Sequence, residues 1–337
     1  MIPVFDGHND TITRDDAADF VAGRAGGHID LARARSGGFA GGIFAIFTSG
    51  PDEDELQLGG ADMEPCAPVG IDVAAPNSTA VAGRLLALER DGHLRIVREV
   101  ADLDAALADG VLAAVMHFEG AEAIEPDLES LELWHAAGLR SLGPVWSRPN
   151  AFAHGVPFRF PSSPDTGPGL TPAGEALVRR CADLGIAVDL SHLNEAGFWD
   201  VARLDGAPLI ASHSGVHALS ASARNLTDAQ LDAIGASGGL VGIVYAVNFL
   251  RADGREEPDT PLDLIAAHAR YVADRIGVEH VGLGSDFDGA TIPRELGDVT
   301  GLPRLLDALR AAGFSEAEVR AIAWDNWRRV LATAWGE

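Results

Sequence analysis

Lysine is absent from this 337-residue chain: its 25 basic residues are all arginine, set against 50 acidic ones, for a formal net charge of −25. Such a surplus repels phosphate backbones and anionic lipid headgroups, which argues against nucleic acid or a membrane surface as partner. The exclusive use of arginine we read as the codon bias of a GC-rich genome. Cysteine is scarce. Cys66 falls in a loop-like stretch and Cys181 in a helix-like one, too far apart to form a disulfide framework, so free thiols in a reducing cytoplasm are expected. No apolar run reaches the ~18 residues of a membrane span. The opening Met1–Asp6 lacks the basic start and apolar core of a secretory signal. The expectation is a soluble, unprocessed, cytoplasmic protein.

Apolar residues make up 47% of the chain, enough for a large core. They recur as short runs, each followed by a polar or glycine-containing loop and then a helical pattern, the alternation of βα units and a parallel sheet. Eight strands are predicted, at Ile2–Phe5, Gly42–Phe47, Leu112–His117, Ser141–Val145, Ile186–Leu190, Leu209–Ser212, Val241–Tyr245 and Val281–Leu283. Helices are predicted over 76–90, 128–138, 171–184, 195–203, 228–236, 261–276 and 302–312, with a last one over 315–334. Thr171-Pro172 has the cap and first-turn proline of a helix start, and Ser315 with Glu318 the spacing of a capping box. Eight strands in this alternation predict an α/β fold of the (β/α)8 TIM-barrel type, with long catalytic-face loops and a C-terminal helix, as one domain over 1–337. Barrels of this kind routinely exceed ~250 residues. Two irregular stretches, 50–75 and 147–170, follow strands and are expected to cover the catalytic face.

In such barrels the chemistry sits at the C-terminal ends of the strands. The first strand ends in Asp6-Gly-His8-Asn-Asp10, where residues two apart share a face and can meet one cation. A capped turn with a solvated aspartate is the bland alternative. The third ends in His117-Phe-Glu119-Gly, where a glutamate in the mouth can bridge two cations; His117 is read as a packed or supporting histidine. Asp189-Leu-Ser-His192 and Ala211-Ser-His213-Ser each set a histidine at a strand tip, and Gly284-Ser-Asp286-Phe-Asp288-Gly sets an aspartate there, placed to act as a general base. Imidazole and carboxylate together suit zinc-like metals. Each motif is weak alone, but metal-type residues gather at five strand tips. The histidines at 28, 93, 135, 268 and 280 lie in helical or loop patterns and are read as structural.

Taken together, these motifs with Ala223-Arg-Asn225, in this order and spacing from about residue 3 to 330, resemble the membrane (renal-type) dipeptidase family of the amidohydrolase superfamily, in a bacterial intracellular branch. The resemblance implies two zinc ions: His8 and Asp10 on one, His192 and His213 on the other, and Glu119 bridging both. It implies Asp286 as catalytic acid/base, and Arg224 as receptor of the substrate carboxylate through paired hydrogen bonds. The implied reaction is dipeptide hydrolysis by a metal-bridging hydroxide, with tolerance of a D-residue at the C-terminal position. A homodimer is compatible with it. One departure stands out. Where mammalian members carry a histidine after the fourth strand, this chain has Trp146. Either Asn150 or His154 takes over that contact, or the substrate differs. Two alternatives follow: a related hydrolase of an N-acyl amino acid, lactone or cyclic amide, and a non-catalytic metal-binding barrel.

Overall fold

The computed structural model of the chain describes residues 1–51, 60, 63–204 and 207–337; residues 52–59, 61 and 62 of the expected loop 50–75 lie outside the described residues. Among the described residues nine parallel strands form one sheet: β1 (Val4–Asn9), β2 (Phe39–Ile46), β3 (Leu94–Ile96), β4 (Leu112–Glu119), β5 (Leu139–Gly143), β6 (Ala187–Val188), β7 (Ile210–Ser214), β8 (Leu240–Ile243) and β9 (Val281–Leu283). The order is β6-β5-β4-β2-β1-β9-β8-β7, with β3 paired to β4 off this path. Between β6 and β7 the ladder thins to one bridge, Asp189 with Ile210, supported by the Leu190 N–H donating to the Ile210 carbonyl at 2.8 Å. Eight strands thus run around a barrel, and helices cover its outside. Among the described residues no helix is long and apolar enough to cross a membrane.

The strands form because both faces of each are buried, so they read as near-continuous apolar runs; β4 is buried along its whole length. Two expected helix starts take the predicted chemistry. The Thr171 side chain accepts from the Gly174 N–H ahead of Pro172–Leu184, and Ser315 and Glu318 form a capping box. Besides unpredicted short helices such as Leu31–Gly37 and Val247–Leu250, three features differ from expectation. First, β1 continues through polar Asp6 and His8 to Asn9 rather than ending at Phe5. Hydrogen bonds offset the cost of burying Asp6: the Ser285 N–H and hydroxyl donate to its carboxylate at 2.6 and 2.8 Å. Second, β3 and the helix Val100–Asp109 were not foreseen, because a three-residue strand has no readable period. Third, the last helix is divided by a π-helical turn over Ala321–Asp325.

That last segment plugs the barrel. Phe5, Ile43, Val115, Ala187, Ile210 and Leu240 cluster with Trp324, Trp327, Val330 and Leu331, and Phe5 meets Trp324 and Trp327 at 5.9 and 5.7 Å between ring centroids. The Trp327 Nε1–H donates to the Leu283 carbonyl at 2.9 Å, satisfying the one polar group that the ring brings inside. Close approach there needs glycine: a Cβ on Gly284 would lie 1.9 Å from the Ser212 carbonyl oxygen. Alternate apolar strand residues such as Val4, Phe44, Met116, Phe118 and Ile243 pack in a core shared with the helices. Cys181 lies in that outer core and Cys66 in a separate cluster beside Phe158 and Phe249.

His268 is a structural histidine with a measurable consequence. Its Nδ1 accepts the Val216 N–H at 3.0 Å, and its Nε2 bonds the Leu250 carbonyl at 3.1 Å. Protonation would set two N–H donors against each other at Nδ1, and burial pushes the pKa from 6.5 to about 4. A histidine with a lowered folded pKa contributes stability above its unfolded pKa and loses it as pH falls. Between pH 6.5 and 4 this site should cost up to ~3 kcal/mol. The gap in urea midpoint between wild type and His268→Gln should therefore narrow from pH 7 to pH 4.5; an unchanged gap would remove His268 from the acid sensitivity.

Candidate metal centre and active site

The ends of the strands bring five distant side chains together. His8, inside β1, is fully buried, and neither ring nitrogen has a hydrogen-bond partner. Its Nε2 stands 3.5 Å from Asp10 Oδ2 and 3.5 Å from Glu119 Oε2. Glu119, the last residue of β4, turns its other oxygen to the next pair: Oε1 is 3.1 Å from His192 Nε2 and 3.6 Å from His213 Nε2. Those two nitrogens face each other at 3.1 Å. Local backbone serves this convergence. His192 and Asp286 adopt left-handed φ values of +67° and +58°, a sparsely populated region for non-glycine residues that clusters at functional sites.

These residues are chemically suited to hold metal. A buried imidazole with both nitrogens unsatisfied is costly, and ligation removes that cost. Among the described residues four groups of three donors have their ligand atoms within 4.8 Å of one another: His8, Asp10 and Glu119; Glu119, His192 and His213; His8, His213 and Asp286; and His8, His117 and Asp189. The electrostatics agree. Burial pushes both His192 and His213 well below the usual histidine range, which leaves them neutral and able to ligate metal. Glu119 is raised to about 7, mainly by burial, with Asp10 and Asp286 adding to the rise and His8 opposing it.

Asp286 follows β9 and is tied to β1 by its N–H donating to the His8 carbonyl at 3.0 Å. Burial, helped by Asp10, raises its carboxyl to about 6, within reach of neutral pH for proton transfer. Gly289 leaves the space: a Cβ there would lie 2.3 Å from Asp10 Oδ2 and 2.5 Å from Asp286 Oδ1. Asp288 does something else. Its carboxylate accepts the His28 N–H at 2.7 Å and a short bond from the Thr11 hydroxyl, pinning the loop after β1. His117 stands behind His8, edge to face at 5.6 Å, with Nδ1 on Ser141 Oγ at 2.9 Å.

A cavity of about 450 Å³ opens above the cluster. Its floor is Asp10, Glu119, His192 and Asp286; one wall is aromatic, from Phe47, Trp146, Phe158 and Phe249, and the other holds Asn248, Glu256 and Thr291. The aromatic wall is continuous, with centroids 5.1 Å apart for Phe47 and Trp146, 5.3 Å for Trp146 and Phe158, and 6.0 Å for Phe158 and Phe249. Trp146 thus borders the site, 5.7 Å from the His192 ring. Asn150 and His154 are not brought to the cavity. The Asn150 amide is engaged in its own turn, donating to the Pro144 carbonyl and accepting the Phe152 N–H, each at 2.8 Å. Arg224 is buried, with its guanidinium 5.9 Å from the Phe249 ring centroid. Its Nη groups donate to Ser214 Oγ at 2.9 Å and the His213 carbonyl at 2.8 Å, while its Nε–H has no partner and it makes no ion pair among the described residues. Sequence reading missed the wall residues Phe47, Phe158 and Phe249 and also Ser147, whose Oγ lies 2.9 Å from His192 Nδ1; they follow three different strands, β2, β5 and β8, and share no motif.

Residues 1–335 match the family model for membrane dipeptidase, peptidase family M19. This chain belongs to that family. Among solved structures it is similar to a metallo peptidase from Rhodobacter sphaeroides liganded with a phosphinate mimic of the dipeptide L-Ala-D-Ala, at 48% identity and a TM-score of 0.95, covering 99% of each chain. It is equally similar to the dipeptidase AC, a metallo peptidase of family M19, at 49% identity and a TM-score of 0.95, over 100% of this chain and 99% of that one. A dipeptidase of Aspergillus terreus, ataJ, is 27% identical over 357 aligned positions, 98% of this chain and 84% of its own length. As a member of the M19 family, this barrel is a metal-dependent dipeptidase of the amidohydrolase superfamily.

Proposed function

We propose that this M19 enzyme is a dinuclear-zinc dipeptidase that cleaves dipeptides with a free C-terminal carboxylate, including those ending in a D-residue. The observation that carries this reading is Glu119, whose two oxygens face separate ligand sets, His8 with Asp10 and His192 with His213. The donor set of imidazole nitrogen and carboxylate oxygen suits zinc. When bound, the two cations supply Lewis acidity to the scissile carbonyl and a water acidic enough to act as nucleophile.

The remaining steps belong to the chain. Asp286, within electrostatic reach of both Asp10 and Arg224, receives the proton of the attacking water and returns it to the leaving amine. Arg224 pairs with the substrate carboxylate, so the cavity measures length from that end, and a longer peptide would leave the guanidinium without its partner. The aromatic wall excludes water and accepts apolar side chains. Trp146 offers one indole N–H where the mammalian members carry histidine, and it borders the cavity beside His192. The D-residue tolerance draws on the relative at 48% identity that binds a mimic of L-Ala-D-Ala.

The test is a matched panel of L,L and L,D dipeptides, their C-terminal amides, N-acyl amino acids and lactones, assayed on enzyme of known metal content. Hydrolysis of free dipeptides with at least ~10²-fold preference over the amides is expected, the loss of one charge-assisted pair. Faster turnover of lactones or N-acyl amino acids would overturn the reading. Arg224→Ala should raise KM for dipeptides by roughly 10²-fold, with a smaller change in kcat. A fall in kcat at constant KM would instead make Arg224 a brace for the His213 carbonyl.

A further inference from the structure

We infer that Asp189, acting through the Ser212 hydroxyl, is a positioning residue that fixes which ring nitrogen of His213 is free to bind metal. This rests on the proposed ligand set, and it concerns residues that bind neither substrate nor metal in that reading.

The count of protons in this cluster decides the matter. Asp189 is buried at the end of β6. Its Oδ1 is fully engaged by two backbone donors, the Ser191 N–H at 3.0 Å and the Ser212 N–H at 2.8 Å. Its Oδ2 lies 2.5 Å from Ser212 Oγ. A carboxylate only accepts, and a serine hydroxyl has one proton, so that proton points at Asp189. Ser212 Oγ also lies 2.8 Å from His213 Nδ1. With its proton committed, the oxygen can only accept there, so Nδ1 carries the hydrogen and Nε2 holds the lone pair. That lone pair faces Glu119 and His192. Ser191 fits the same scheme: its Oγ accepts the His213 N–H at 3.1 Å and lies 3.4 Å from Ser212 Oγ, where it donates. His192 has no such lock. Its Nδ1 meets Ser147 Oγ at 2.9 Å, and among the described residues no carboxylate stands behind that serine. One imidazole of the pair is therefore held in its ligating tautomer by a carboxylate, and the other is not. Partners of this kind typically change metal affinity by ~10–100-fold when removed.

The arrangement makes an isosteric change more harmful than a truncation. In Asp189→Asn the two backbone donors require the new amide oxygen at the Oδ1 position, which leaves the amide NH2 facing Ser212 Oγ. With Ser191 still donating to it, the Ser212 oxygen then has both lone pairs occupied by Ser191 and that NH2, so its hydroxyl donates to His213 Nδ1, which puts the proton on Nε2 and opposes ligation. Ser212→Ala removes the relay without imposing the wrong tautomer. Asp189→Asn should therefore be more damaging than Ser212→Ala, and adding Ser212→Ala to Asp189→Asn should restore affinity to the level of Ser212→Ala alone.

The experiment is zinc titration against graded chelators on wild type, Ser212→Ala, Ser212→Thr, Asp189→Asn and the double variant. Bound metal is counted by mass spectrometry, and the absorption of cobalt-substituted protein is recorded. The metal-free melting transition of each variant identifies any that fail to fold; Ser212→Thr, which keeps the hydroxyl, is the folded control. The expected result is a weakening of one of two ions by ~10–100-fold in Ser212→Ala, a larger loss in Asp189→Asn, recovery in the double variant, near-wild-type binding in Ser212→Thr, and a changed cobalt spectrum only where affinity falls. Equal affinity in all variants, or additive losses in the double variant, overturns the relay. A wild type that binds fewer than two ions would instead overturn the dinuclear reading, whatever the variants do.

Discussion

Asp286→Asn should lower kcat by roughly 10²–10⁴-fold, the usual contribution of a positioned acid/base, while the bound metal is retained. The reason is geometric. The Asp286 backbone is held by the His8 carbonyl, and its carboxyl sits against Asp10 with Gly289 leaving room for both. Asparagine keeps the shape and loses the titrating oxygen. Metal content measured beside kcat separates the two roles: low turnover with full metal supports proton transfer, and low turnover with lost metal makes Asp286 a ligand. Near-normal turnover would remove it from the chemistry. KM should change little, because the substrate carboxylate is assigned to Arg224.

Stripping the metal should abolish dipeptide hydrolysis, to below about a thousandth of the starting rate, with zinc restoring it. Without cations the centre is a poor arrangement: His8 is buried with both nitrogens unsatisfied, and Glu119, Asp10 and Asp286 share one small volume. Metal binding should therefore also stabilise the fold. A ligand held at a thousand times its Kd contributes ~4 kcal/mol, which corresponds to a rise in Tm of several degrees for a chain of this size. Turnover that survives exhaustive chelation would end the metal mechanism. A Tm indifferent to zinc would show that the cluster is satisfied in some other way.

The barrel and the chemistry at its mouth were legible to different depths. Apolar runs marked the strands because burial on both faces leaves a continuous signal, and helix caps were readable at Thr171 and Ser315 because capping is local. His8 with Asp10, Glu119, His192, His213 and Asp286 stood out as metal-type residues at strand tips. What decides where such residues meet is the closure of the barrel, and in the structure those six gather around one small volume. Polar stretches concealed the rest of β1, since the satisfaction of Asp6 depends on Ser285, far away in the chain.

The amino-acid sequence by itself determined the strand–helix alternation, the donor types at the strand tips and, through them, the family. Only the tertiary structure decided the pocket. Phe47 follows β2, Trp146 and Phe158 follow β5, and Phe249 follows β8; they become one wall because the barrel brings these strands together. The same holds for Asn150, whose expected contact with substrate is replaced by hydrogen bonds within its own turn. It holds most of all for Asp189 and Ser212, whose hold on His213 depends on distances between neighbouring strands. Periodicity reports which face a residue takes; it carries no information about which residue of another strand stands opposite, and it is that pairing that sets the direction of a proton.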